Sequence, residues 1–113
     1  MLDIASLDAM GVNTAEGLER CLSNEQFYFR LIKKCMQDDT CEKLRDALEA
    51  NDLDSAFALA HTLKGVYGNL ALKPLFDIAN AMTELLRNRE QRDYSGMISD
   101  LLEKKNALKA LCE

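Results

Sequence analysis

The chain has 113 residues, 48% of them apolar and 29% charged, with five Gly and one Pro. That is the size of one compact domain able to bury a core, and it is poor in the Gly, Pro and β-branched runs of sandwiches, barrels and collagen-like repeats. The net charge of −5 and the absence of a Lys/Arg stripe exclude a nucleic-acid binder. No apolar run approaches the ~18 residues of a membrane span, so no membrane partner is expected. The opening MLDIASLDAMGVN has neither the basic start nor the apolar stretch of a secretion signal, and a cytoplasmic location follows as the expectation.

Taken in chain order, the first dozen residues are expected to be loosely held. After the turn Gly11-Val12-Asn13, a short helical segment runs from Thr14 to Leu22. Ser23 and Gln26 have capping-box spacing and open a helix to about Gln37, with Phe27, Leu31, Cys35 and Met36 on one broad face. Asp38-Asp39-Thr40 ends it and caps a helix over 41–50 that carries Cys41, Leu44, Ala47 and Leu48. Asn51-Asp52 separates this from a long helix reaching about Leu72. Pro74 suits the first turn of the next helix, which runs to about Asn88 with Leu75, Ile78, Ala79, Met82, Leu85 and Leu86 inward. Asn88 to Arg92 reads as a loop, and Asp93 caps a last helix with the stripe Tyr94, Met97, Ile98, Leu101, Leu102, Leu108 and Leu111.

Connections this short make neighbouring helices antiparallel. The fold class is therefore all-α: one domain over 1–113, an up-down four-helix bundle over about 41–112, and the helix of residues 24–37 capping one end. Cys21, Cys35, Cys41 and Cys112 form no C-x-x-C, and His61 is the only histidine. Reduced, mostly buried thiols are expected, with no metal site and no disulfide. Glu42, Lys43, Arg45, Asp46 and the run Glu103-Lys104-Lys105 read as solvated helix faces.

One helix departs from what packing alone would choose. At about 100° per residue, Leu59, Leu63, Val66 and Leu70 cluster within about 40° of the direction opposite His61, so the imidazole points to water. Phe57 and Ala58 flank it on one side, and Lys64, Gly65 and Gly68 on the other. Each helical Gly costs up to about 1 kcal/mol relative to Ala. Two of them on the histidine's face leave a bare strip for another protein, and Lys64 is placed to reach an anion held on the ring. Phe57 is an exposed apolar contact for such a partner. Asn69 stands at the site's edge, Tyr67 is half-buried packing, and Lys73 extends the basic rim. Neither G-x-x-x-x-G-K-[ST] nor G-x-G-x-x-G occurs, so no ATP site of the chain's own is expected. No Ser or Cys resembles a nucleophile elbow. A solvent-facing histidine without a substrate pocket of its own suits a carrier.

Ala60-His61-Thr62-Leu63-Lys64-Gly65 followed by Gly68-Asn69-Leu70 resembles the signature of histidine-containing phosphotransfer (HPt) domains. The likeness extends to Ala47-Leu48-Glu49-Ala50-Asn51-Asp52, Gly11-Val12-Asn13 and Glu16-Gly17-Leu18, over about residues 11–111. Ala71 departs from it, standing where members commonly have Gly. The resemblance implies a four-helix bundle with a capping helix. It implies that His61 is phosphorylated on a ring nitrogen, that Lys64 lies beside the phosphoryl group, and that Gly65 keeps the surface open. It further implies response-regulator receiver domains or a hybrid sensor histidine kinase as partners, a receiver that supplies the Mg²⁺, no cofactor on this chain, and a monomer. Two other readings stand beside the phosphocarrier: an adaptor that binds receivers or kinases without transfer, against which His61 and Lys64 count, and a domain cut from a hybrid kinase. Met1 and the domain-sized length favour a free-standing protein.

Overall fold

The computed structural model describes residues 2–113. Met1 lies outside the described residues. The helices are α1 (Ile4–Ala9), α2 (Thr14–Arg20), α3 (Glu25–Gln37), α4 (Thr40–Glu49), α5 (Leu53–Asn69), α6 (Lys73–Arg87) and α7 (Ser95–Leu111), and the described residues contain no strand. α5 packs between α4 and α6, α6 on α7, and α7 back on α4, which closes a four-helix ring. Its core is built from Cys41 and Leu44 of α4, Ala56, Ala60 and Leu63 of α5, Leu75, Ala79, Met82 and Leu86 of α6, and Ile98, Leu101 and Leu108 of α7. Outside the ring, α3 packs against α7 and α2.

In the N-terminal segment, expected to be loosely held, residues Ile4–Ala9 form the short helix α1. Asp3 caps α1 by accepting from the Ser6 N–H at 2.7 Å, Leu7 is fully buried, and the Thr14 hydroxyl donates to Asp8 at 2.5 Å. One buried leucine is enough to anchor a six-residue helix that cannot persist alone. α3 also differs from the expected face. Asn24, not Ser23, caps it, accepting from the Phe27 N–H at 3.0 Å. Its buried residues are Tyr28, Ile32 and Met36, while Phe27 is exposed. The stripes 27/31/35 and 28/32/36 lie one residue apart, and what chooses between them is distant: the Tyr28 hydroxyl donates to the Leu70 carbonyl at 2.7 Å. Gly17 makes room for that ring, because a Cβ there would overlap the phenol.

α5 stops at Asn69, short of Leu72. Ala71 adopts a left-handed φ of 56°, and the N–H groups of Ala71 and Leu72 turn back to the carbonyls of Gly68 (3.1 Å) and Tyr67 (2.9 Å). This is a Schellman closure. The same pattern ends α2, α4 and α6 with Leu22, Asn51 and Arg89 in the left-handed region. Only α1 uses glycine there, Gly11. At the starts of α4 and α7, Asp38 and Asp93 accept from the N–H groups of Thr40 and Ser95 at 2.8 Å each.

The largest correction concerns Lys105 and Glu42, expected on solvated faces. Lys105 is 3% exposed. Its ammonium donates to Glu42 Oε1 and Oε2 at 2.5 and 2.9 Å and to the Asp38 carbonyl at 2.7 Å, so all three protons are used. The pair ties α7 to the start of α4. Glu42→Ala, which leaves a buried ammonium without its counter-ion, is expected to lower stability by about 2 kcal/mol or more in urea unfolding, toward the low end for such pairs because Glu42 is partly solvated; Lys105→Met should stay within about 1 kcal/mol of wild type.

Stability also carries an acid dependence. The hydroxyl and the amide of Ser55 hold the Asp52 carboxyl below its ordinary 3.8. Thr40 does the same for Asp38 and Ser95 for Asp93. A carboxyl lowered in the folded state contributes stability above its unfolded value and loses it as pH falls through the folded one. The melting temperature should therefore drop progressively below about pH 4, and Asp52→Asn should flatten that drop.

Candidate functional site

α5 begins at Asp52, whose side chain accepts from the Ser55 N–H at 3.2 Å. Its buried residues are Leu53, Ala56, Ala60, Leu63 and Tyr67. The inward direction is thus set by the 53/56/60/63/67 series and not by the expected Leu59, Leu63, Val66 and Leu70. Leu63 and Leu70 are buried, Leu59 is half-buried and Val66 is 38% exposed. Ala56, Ala60 and the tyrosine ring take the inward positions that larger aliphatic residues were expected to fill. Tyr67, expected half-buried, is fully buried, and burial raises its hydroxyl above the ordinary value.

His61 stands about 120° around the helix from the buried series. It is exposed, and among the described residues its ring makes no hydrogen bond. Phe57, one turn earlier, lies against it with ring centroids 5.9 Å apart. Phe57 is not the open apolar contact expected of it. It is half-buried, and the guanidinium groups of Arg87 and Arg89 lie over its ring at 5.4 and 4.7 Å from the centroid, a cation–π arrangement. Arg89 is held in turn by Asp54 at 2.6 Å. Ala58 is exposed on the outermost side of the helix, as is Asn69 at its last turn.

The two glycines of the strip have different roles. A Cβ on Gly65 would meet nothing within 4 Å, so no neighbouring helix requires that glycine. A Cβ on Gly68 would come within 3.2 Å of the Phe76 ring; here the missing side chain serves packing against α6. Only half of the bare strip is bare.

A groove of about 530 Å³ opens beside His61. Gly65 and Gly68 line one side of it, Lys73 and Phe76 of α6 another, and Glu16 and Arg20 of α2 a third. Arg20, 41 residues before the histidine, has no signal in the sequence beyond a basic residue in the last turn of a short helix. It donates to the Gly68 carbonyl and pairs with Glu16 at 2.5 Å. Lys73 pairs with Asp77 at 3.1 Å, and Lys64 Nζ lies 3.8 Å from Glu84 Oε1 of α6. Each of these three cations already has a carboxylate of the same chain beside it. The thiols of Cys35 and Cys41 lie on the other side of α5, among the residues of a second cavity of about 330 Å³. Burial pushes both up to about 11, so both are protonated at neutral pH and are poor nucleophiles.

The chemistry available is therefore one solvent-facing imidazole on a rigid helix, an ammonium one turn away and open surface at Gly65. A comparison with protein families matches the Hpt domain over residues 36–113, more than half of the chain. The match begins in the last turn of α3, later than the residue 11 at which the sequence likeness starts. No curated protein and no solved structure matches the chain.

Gly65→Ala should raise stability by about 0.5–1 kcal/mol, the helix-propensity gain at an unobstructed interior position. Gly68→Ala should gain less or lose, because its methyl group presses on Phe76. Thermal unfolding of the two variants side by side checks the order.

Proposed function

Since this chain belongs to the Hpt domain family, we propose that it is a phosphocarrier that takes a phosphoryl group onto His61 from an aspartyl phosphate of a receiver domain and returns it to another receiver's aspartate. The observation that carries the reading is the combination of an exposed His61 with empty space over Gly65 one turn away. A nucleophile on an open helix face is complete only when a partner brings the rest of the active site.

In the forward step, a ring nitrogen of His61 donates its lone pair to phosphorus. The N–P bond forms as the P–O bond to the receiver's aspartate breaks, and the carboxylate stays on the receiver. The reverse step returns the group. The chain contributes position above all: α5 is anchored along one full side by the core, so the imidazole is presented without a mobile loop, and such pre-orientation replaces much of the entropic cost of bringing two reactants together. Lys64 supplies positive charge beside the phosphoryl oxygens. The Mg²⁺ and the acidic pocket that in-line transfer needs come from the receiver. Partners are receiver domains, free or within a hybrid sensor kinase, and the place of action is the cytoplasm. Ala58, Gly65 and Asn69 form the exposed docking strip, whereas Phe57 and Gly68 support it from below.

The test is transfer of label from a ³²P-aspartyl receiver. Wild type should acquire an acid-labile, alkali-stable label, and His61→Gln should acquire none while melting at the wild-type temperature, since an exposed side chain contributes little to stability. Gly65→Leu, with His61 intact, should lose most of the transfer rate. A variant that accepts label as fast as wild type would refute the open-strip argument. Receiver binding without label would favour the adaptor reading.

A further inference from the structure

The carboxylate nearest Lys64 belongs to Glu84, on the neighbouring helix. Lys64 Nζ and Arg87 Nη2 lie 3.8 and 3.4 Å from the same oxygen, Oε1. Arg87 also covers Phe57, whose ring adjoins His61. A continuous row thus runs along the α5–α6 seam: Lys64, Glu84, Arg87, Phe57 and His61. The ammonium is drawn toward α6 by Glu84, and Glu84 has a second cation that does not depend on Lys64.

We propose that Glu84 is a positioning residue that parks Lys64 against α6 until a phosphoryl group is present on His61, and then releases it while remaining paired with Arg87. The inference rests on the reading of His61 as the phosphorylated residue. Three features support the exchange. The Lys64–Glu84 separation is long for an ion pair and both side chains are partly solvated, so the pair is weak and easily exchanged. A phosphoryl group carries more negative charge than a carboxylate and three strong acceptor oxygens, so it outcompetes Glu84 for the ammonium. Finally, Arg87 stays paired with the carboxylate that Lys64 leaves.

The experiment uses the small donor phosphoramidate, so that no receiver interface enters the result. A ring nitrogen of His61 attacks phosphorus, the P–N bond of the donor breaks, and ammonia leaves, taking up the proton that the ring releases. Phosphohistidine is then followed by ³¹P NMR on wild type, Glu84→Gln, Glu84→Asp, Lys64→Ala and the double variant Glu84→Gln/Lys64→Ala. Freed Lys64 should speed phosphohistidine formation in Glu84→Gln by about two- to five-fold at low salt, the range that an exposed ion pair can bias. The gain should shrink at high ionic strength, and Glu84→Asp should restore wild-type behaviour. In the Lys64→Ala background the Glu84→Gln gain should vanish. The same gain in that background would show Glu84 acting directly on the phosphoryl group and would overturn the inference. So would a Glu84→Gln rate of formation equal to wild type. If wild type forms no phosphohistidine from phosphoramidate or from a receiver, the reading of His61 falls and takes the inference with it.

Discussion

The carbonyls at the C-terminal end of α5 are the constraint on which the remaining structure depends. A helix end leaves its last carbonyls without intrahelical partners, and here three of the nearby acceptors are claimed by the N-terminal segment. Arg20 donates to Gly68 and the Tyr28 hydroxyl to Leu70. The Asn13 N–H donates to Ala71 at 3.0 Å. Each bond recruits a different piece of chain, so α2, α3 and the turn before α2 converge on the point where the site helix stops. Arg20 reaches the groove beside His61 only because of this convergence, and a guanidinium at a helix C-terminus also complements the helix dipole. Gly17 belongs to the same chain of dependence, because without its missing side chain Tyr28 could not approach. The N-terminal third is outside the part of the chain that matches the family, yet it supplies one wall of the groove.

The second constraint is the asymmetry of α5. α6 packs on α5 with Phe76 over Gly68 and Glu84 beside Lys64. The histidine's environment is thus made jointly by the helix that bears it and by α6. Around the site the exposed residues of α5 are Ala58, His61, Thr62, Gly65, Val66 and Asn69, and this is the surface a partner would meet.

What the sequence made legible was the spacing of His61, Lys64 and Gly65 along α5. A histidine, a lysine three residues on and a glycine four residues on share one flank by helical geometry alone, and no tertiary information is needed to place them together. The four-helix ring was legible for a similar reason, since apolar periodicity and short connections leave few alternatives. The misreadings share one cause, which is that the deciding partner is distant in sequence. Lys105 looks like any surface lysine until Glu42, 63 residues earlier, is brought to it. The inward face of α3 turns on a carbonyl 42 residues away. Helix ends were blurred for a different reason. Leu22, Asn51, Ala71 and Arg89 occupy left-handed positions where glycine is the usual marker, so the signal a reader relies on is missing although the closure itself is intact. At Ala71 the backbone conformation calls for Gly, and Ala accepts it at a cost of about 1 kcal/mol.

The charge arrangement completes the account of how such a surface can wait and then act. The molecule carries a net charge of −5, so a free cation beside His61 would have no lack of anions to attract it, and an unshielded anion site would fill with whatever phosphate the solvent offers. Pairing Lys64 with Glu84, Arg20 with Glu16 and Lys73 with Asp77 leaves the resting surface close to locally neutral. Had these pairs been buried and strong, releasing a cation would cost several kcal/mol and would oppose transfer. Exposed pairs are worth at most about 1 kcal/mol each, which is enough to hold a side chain in place and too little to keep it from a phosphoryl group. A reversible carrier needs that balance in both directions, because any excess stabilisation of the phosphorylated state would be a barrier to giving the group away.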